Sequence, residues 1–291
     1  MAQTSPKKNL SRRDFLKWAF LAVSSGASVS AYGAWVETEW LDIHRVTVPI
    51  FDEPPERPMR LLHLSDFHAS PVVSYDYIET AIDTAITLKP DVICLTGDYI
   101  TGEVNQPEEY ARILRKLSQT APCFASFGNH DGGRGEIRRG GFRGPKAVND
   151  ILTAAGITTL FNRGVDWRWE GHSIRFIGLA DLWSKYFQPD VAYGEAENWE
   201  GRKIIVLSHN PDTKSELAAY PWQLLLCGHT HGGQVRIPFT GRGLFAPVRD
   251  KRFVDGLYDW DNRWIYITRG IGNVKGFRLN CRPWISLLEI V

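Results

Sequence analysis

Apolar residues along this chain follow two rhythms. Up to about residue 155, short apolar runs alternate with stretches in which apolar positions recur every three or four residues. That pattern predicts strands over 59–65, 91–96 and 122–127 and helices over 75–88, 107–118 and 146–155. A β-α-β-α-β order of this kind predicts a largely parallel sheet. Beyond it, apolar runs over 173–179, 203–208 and 223–227 are followed by closely spaced strand-like stretches over 234–238, 253–260, 263–268 and 284–290, with little room for helices. A second sheet packed on the first accommodates them.

The start of the chain has a different character. Ser11-Arg12-Arg13-Asp14-Phe15-Leu16-Lys17 matches the twin-arginine export pattern, and Trp18 to Val36 then carry no charge. The segment 1–36 is therefore a twin-arginine signal or a membrane anchor, since 19 uncharged residues at a helical rise of about 1.5 Å just reach across a bilayer core. Ser28-Val29-Ser30 offers a small-x-small cleavage site. Three prolines among residues 52–58 exclude helix and central strand, so 37–58 reads as a strand and Pro-rich linker and 59–291 as the main domain. Cys94, Cys123 and Cys227 lie in or at the head of apolar runs, and no cysteine pair has zinc-ligand spacing, which predicts buried thiols.

About 240 residues beyond the leader suit a single α/β domain. A formal charge of +1 provides no long-range field for nucleic acid, so charge-based recognition must be local. The chemistry lies in five blocks that occur in order: Asp66-Phe67-His68, Gly97-Asp98, Gly128-Asn129-His130-Asp131, Ser208-His209 and Gly228-His229-Thr230-His231. Five of the eight histidines fall inside them, and most blocks follow a predicted strand, so their side chains emerge where strands end. Two divalent ions held together need a bridging anion, and Asp98 after Gly97 is suited to that. Imidazole with carboxylate suits Mn, Fe, Zn or Co rather than Ca. His44, His63 and His172 read as packed residues.

The blocks D-x-H, G-D, G-N-H-D, H and G-H-x-H resemble the signature of calcineurin-like metallophosphoesterases, over about residues 58–291. The resemblance implies a four-layer αββα sandwich of two mixed sheets with flanking helices, the metallo-dependent phosphatase fold. It implies two divalent metal ions, with Mn first and Fe, Zn, Co or Mg as alternatives. Asp66, His68 and His231 would hold one ion and Asn129, His209 and His229 the other, with Asp98 shared. Water bridging the ions would attack phosphorus in line, His130 would donate a proton or hydrogen bond to the leaving oxygen, and Asp131 would orient His130.

Two further segments are candidates for substrate contact. A glycine-rich stretch carries Arg134, Arg138, Arg139, Arg143 and Lys146 against Glu136, and is either a cationic flap over phosphate or a solvated loop. Residues 273–282 resemble a family loop beside the site, with Arg278 the residue to test.

The expected activity is hydrolysis of phosphodiester or diphosphate bonds in a small-molecule or lipid-linked substrate. The alternatives are a UDP-2,3-diacylglucosamine pyrophosphatase of lipid A synthesis, a phosphomonoesterase, and an inactive binding scaffold of the same fold. The expected partners are the twin-arginine translocation machinery and a membrane surface. The expected location is the periplasm or outer face of the inner membrane, with anchoring on the cytoplasmic side as the alternative.

Overall fold

The computed structural model describes residues 27–132, 138, 141–194 and 201–291. The twin-arginine motif and Arg134 lie outside the described residues.

In the first sheet β2 (Met59–Leu64), β3 (Val92–Thr96), β4 (Cys123–Ser126) and β5 (Thr158–Thr159) run parallel. β12 (Trp284–Ile290) joins antiparallel to β2, and β1 (Asp42–Val48) closes the edge parallel to β12. The second sheet has the order β10 (Gly256–Asp259), β11 (Trp264–Ile267), β9 (Leu224–Cys227), β8 (Lys203–Leu207), β7 (His172–Gly178) and β6 (Arg163–Trp169). Its four central strands are parallel and its edges antiparallel.

The two-residue period of a strand sorts the side chains into layers. Leu61, Val92, Cys94 and Leu288 of the first sheet meet Ile205, Leu207, Leu224 and Leu226 of the second in a core between the sheets. Their neighbours Leu62, Leu64, Ile93, Leu95 and Leu287 point outward onto α1 (Tyr75–Ile86), α2 (Pro107–Thr120) and α3 (Lys146–Ala154). On the far side Ile204, Val206, Leu225 and Cys227 pack against Tyr193 of α4 (Pro189–Tyr193), Leu217 just after α5 (Thr213–Glu216), Trp222 and Phe253. The result is the αββα sandwich, with a fourth layer of short helices and loops. Each large apolar side chain sealed in these layers contributes roughly 1.5–3 kcal/mol, which gives the strand ends a rigid base.

Three sequence expectations change. Residues 284–290 belong to the first sheet rather than the second. With Ile285 and Leu287 buried on one face and Leu288 and Ile290 on the other, β12 needs a central position. Residues 234–238 form no strand: Val235 and Arg236 make isolated bridges to Leu279 and Gly243, because glycines and Pro238 interrupt the run. The edge strand β6, rich in Arg, Asp and Gly, has too weak a strand composition to stand out. All four cysteines are buried and free.

Residues 27–35 are helical, and among the described residues no helix is long and apolar enough to cross a membrane. This N-terminal segment packs on the loop before β12. Gly33 O accepts from Arg278 N at 3.0 Å, the buried carboxylate of Glu37 accepts from Cys281 N, and Arg282 lies 3.6 Å from the centre of the Trp40 ring.

Candidate metal centre

The five blocks follow β2, β3, β4, β8 and β9 at their C-terminal ends. Parallel strands put all these ends on one edge, so residues separated by up to 165 positions meet there. Asp66, His68, Asp98, His229 and His231 all have left-handed backbone, with φ between 50° and 71°. Each costs roughly 1 kcal/mol in a non-glycine residue, a concentration of strain that the packed sheets beneath offset. Gly97 and Gly128 let adjacent loops touch, since a Cβ on Gly97 would lie 2.2 Å from Gly128 N and one on Gly128 2.2 Å from Asp98 Oδ1.

The ligand atoms of Asp66, His68 and His231 gather within 4.8 Å of one another, and so do those of Asp98, His209 and His229. Asp98 also clusters with His68 and His130. His68 Nε2 and His231 Nε2 are 3.1 Å apart, and Asp66 Oδ1 is 3.4 Å from His231 Nε2. His209 Nε2 is 3.0 Å from Asp98 Oδ2, while its Nδ1 donates to Thr96 O at 2.7 Å. His68 Nδ1 is similarly held by Thr101 Oγ1 at 2.7 Å. These outer bonds turn the inner nitrogens of both rings to the cluster.

This arrangement fits cations. Asp66 and Asp98 are buried carboxylates whose ion pairs among the described residues are with histidines, and an uncompensated buried charge costs several kcal/mol. His209 Nε2 has no hydrogen-bond partner despite its proximity to Asp98, and the buried Asn129 Oδ1 also lacks one. A carboxylate oxygen facing a ring nitrogen at 3.0 Å needs a positive body between them, which a proton on the ring or a metal cation supplies. The electrostatics agree. Burial disfavours charge on His209, yet Asp98 and Asp66 outweigh it and raise its pKa to about 10. Burial and then His209 lower His229 to about 4. Against the cost of burial, the surrounding imidazoles hold Asp66 and Asp98 below the usual carboxylate range.

Asp131 and His130 are each held by the loops around them. The Asp131 carboxylate accepts from the backbone amides of Asp98 (2.8 Å), Tyr99 (2.8 Å) and Gly128 (2.7 Å), which makes it a clamp between the β3 and β4 loops. Burial and then Asp98 push its pKa up to about 8. His130 is fixed through its own amide, which donates to Asp98 Oδ1 at 2.8 Å. Its ring lies edge-on to His68 with centres 4.9 Å apart.

Arg278 does not present itself to a substrate. It is fully buried and donates to Arg269 O (2.8 Å), Gly272 O (2.7 Å) and Cys281 O (3.1 Å), with Nη2 3.5 Å from His231 Nδ1. It therefore braces the His231 loop. Arg138 and Arg143 are exposed. His63 bonds Thr96 Oγ1 at 2.8 Å, His44 stacks on Trp284, and His172 packs by Phe51, as packed residues do.

The sequence reading missed two residues beyond β7. Asp181 is buried, with one oxygen accepting from Trp183 N and the other without a partner, and burial raises its pKa to about 6. Trp183, 54% exposed, stands edge-to-face on His229 with centres 4.5 Å apart. A carboxylate three residues past a strand end was the available signal for Asp181.

The calcineurin-like phosphoesterase family model matches residues 59–233. The chain belongs to that family. It is 39% identical to phosphodiesterase YaeI of Escherichia coli (strain K12), covering 97% of this chain and all of that one. It is 30% identical to the metallophosphoesterase YkuE of Bacillus subtilis (strain 168), covering 97% and 98%. Against UDP-2,3-diacylglucosamine pyrophosphatase LpxG of Chlamydia trachomatis serovar D it is 26% identical, covering 79% and 83%. Family membership together with the buried Asp and His clusters makes this a metal-dependent phosphoester hydrolase.

Proposed function

We propose that the chain hydrolyses phosphodiesters with two manganese ions, held by Asp66, His68 and His231 and by Asn129, His209 and His229, with Asp98 between them. The observation that carries this reading is the pair of ligand clusters with Asp98 in the second and beside His68 of the first. Carboxylate and amide oxygens mixed with imidazole favour Mn over a thiolate-preferring ion, and the buried Cys281 thiol donates to His231 O. When bound, two such ions acidify water and offset charge on phosphoryl oxygens.

The chain's own residues supply the rest. His130, pinned by its amide to Asp98, stands beside the cluster as the proton donor to the leaving oxygen. Asp131 keeps the two loops in register. Trp183 gives the mouth an apolar wall beside His229, and Arg138 and Arg143 stay available to phosphate from solvent.

The twin-arginine motif and the uncharged run after it support export of the folded chain to the periplasm or outer face of the inner membrane. Its likeness to LpxG supports a second substrate reading, a lipid-linked nucleotide diphosphate, which goes with anchoring on the cytoplasmic side. One screen separates these readings: purified enzyme with manganese against monoesters, diesters and nucleotide-linked diphosphates, with cell fractionation in parallel. Diester cleavage is the expected result. Turnover of monoesters alone would reassign the enzyme, and no turnover with any divalent metal would leave a binding scaffold.

A further inference from the structure

The segment between η1 (His231–Gly233) and β10 contains a surface that hydrolysis does not use. Within nine residues, Ile237, Phe239, Leu244 and Phe245 are all exposed, and Phe239 completely so. Phe239 sits at φ 67°, a left-handed backbone that projects the ring from the tip. Bulky apolar groups clustered in this way on the surface mark an interaction site. Residues 235–252 also carry Arg236, Arg242, Arg249, Lys251 and Arg252 against the single carboxylate of Asp250, in a chain whose net charge is +1. Arg236, Arg242, Lys251 and Arg252 line a cavity of about 320 Å³ at the base of this hairpin, with Asp255 as its acid.

The neighbours of the hairpin indicate its partner. Arg236 N donates to Leu279 O and Leu279 N to Gln234 O, and Lys275 lies 6.0 Å from the centre of the Phe245 ring. The same loop, residues 273–282, carries the N-terminal segment on its other flank through Gly33, Glu37 and Trp40. Trp35 is 78% exposed there. The described end of the uncharged run, residues 27–36, therefore lies beside the loop that supports the cationic, apolar hairpin. One lipid-seeking element alone gives marginal binding, and two make it stable.

We infer that the 235–252 segment docks on an anionic phospholipid surface, with Phe239 and Phe245 entering the acyl boundary, the Arg242–Arg252 cations on the headgroups, and the metal centre held against the membrane. This holds whichever phosphoester is cleaved.

The test uses the full-length protein reconstituted with phosphatidylcholine vesicles or with vesicles that contain phosphatidylglycerol. An environment-sensitive dye is placed on Phe239→Cys or, as control, on Thr87→Cys, which is exposed near the start of β3 at the opposite strand end; the native thiols are buried. In phosphatidylglycerol vesicles the dye at 239 should shift to the blue and resist aqueous iodide while that at 87 stays quenched. Adding Arg242→Glu with Arg252→Glu should weaken this docking by roughly tenfold or more, with hydrolysis of a soluble diester unchanged. A dye at 239 that stays quenched in both lipids would overturn the inference. So would equal shielding in the neutral lipid, or shielding without vesicles that grows with protein concentration, which would give this face to a second copy.

Discussion

The two halves of the metal cradle are held in different ways. On the first sheet, the loops after β2, β3 and β4 brace one another directly. Asp66 N donates to Gly97 O, His68 N to Asp98 O, and the Asp131 carboxylate receives three amides from the neighbouring loops. On the second sheet, His229 N leans on Asp66, and His231 is braced from outside by Arg278 and by Cys281 Sγ, both from the loop before β12. That loop in turn carries the N-terminal segment. One half is a self-supporting unit of neighbouring loops. The other depends on groups about fifty residues downstream, so the two halves should respond differently to substitution.

The largest effect should come from Asp131→Ala. It strands three buried amides at about 1–3 kcal/mol apiece, and should lower stability by several kcal/mol and deplete both ions, read by denaturant midpoint and metal analysis. Wild-type metal content would show that the first half does not need its clamp.

His130→Ala should slow hydrolysis by about 10²–10⁴-fold at unchanged metal content. Metal loss in that variant would make His130 a ligand rather than a proton donor.

Arg278→Met leaves the carbonyls of Arg269, Gly272 and Cys281 without their donor and should cost roughly 2–4 kcal/mol. It should remove one ion per chain, the one beside His231, and keep the other. Loss of both ions at equal rates would erase the distinction between the halves.

The effect that vanishes at neutral pH concerns acid sensitivity in the first half. Burial depresses the His63 pKa to about 3 from an ordinary 6.5. Above pH 6.5 the ring is neutral folded and unfolded and contributes no slope. Between about 6.5 and 3 only the unfolded chain takes the proton, so stability is lost on acidification at about 1.4 kcal/mol per pH unit. His63→Gln should flatten the Tm against pH curve of metal-free protein in that window. An unchanged slope would mean that other groups set it.

The strand-helix alternation of the first sheet was legible because each element there is local and its apolar period is unmixed. The seven candidate ligands were legible because metal chemistry restricts which residues can follow a strand end. The Arg278 brace was not: a buried guanidinium solvated by carbonyls looks the same in sequence as one that faces phosphate. The Asp131 clamp was hidden for the same reason, since its partners are backbone amides that every residue carries. Asp181 had only its place beyond a strand to mark it.

By itself the sequence determined the type of chemistry, the parallel strands β2 to β4 of the first sheet and the uncharged run near the N-terminus, since periodicity and side-chain identity are properties of short stretches. Only the tertiary structure decided that β12 enters the first sheet, that the second half of the cradle rests on the loop before it, and that the N-terminal segment and an apolar cationic hairpin flank that same loop. Those are pairings across long stretches of chain, settled by which buried faces and unsatisfied polar groups find each other once the layers close.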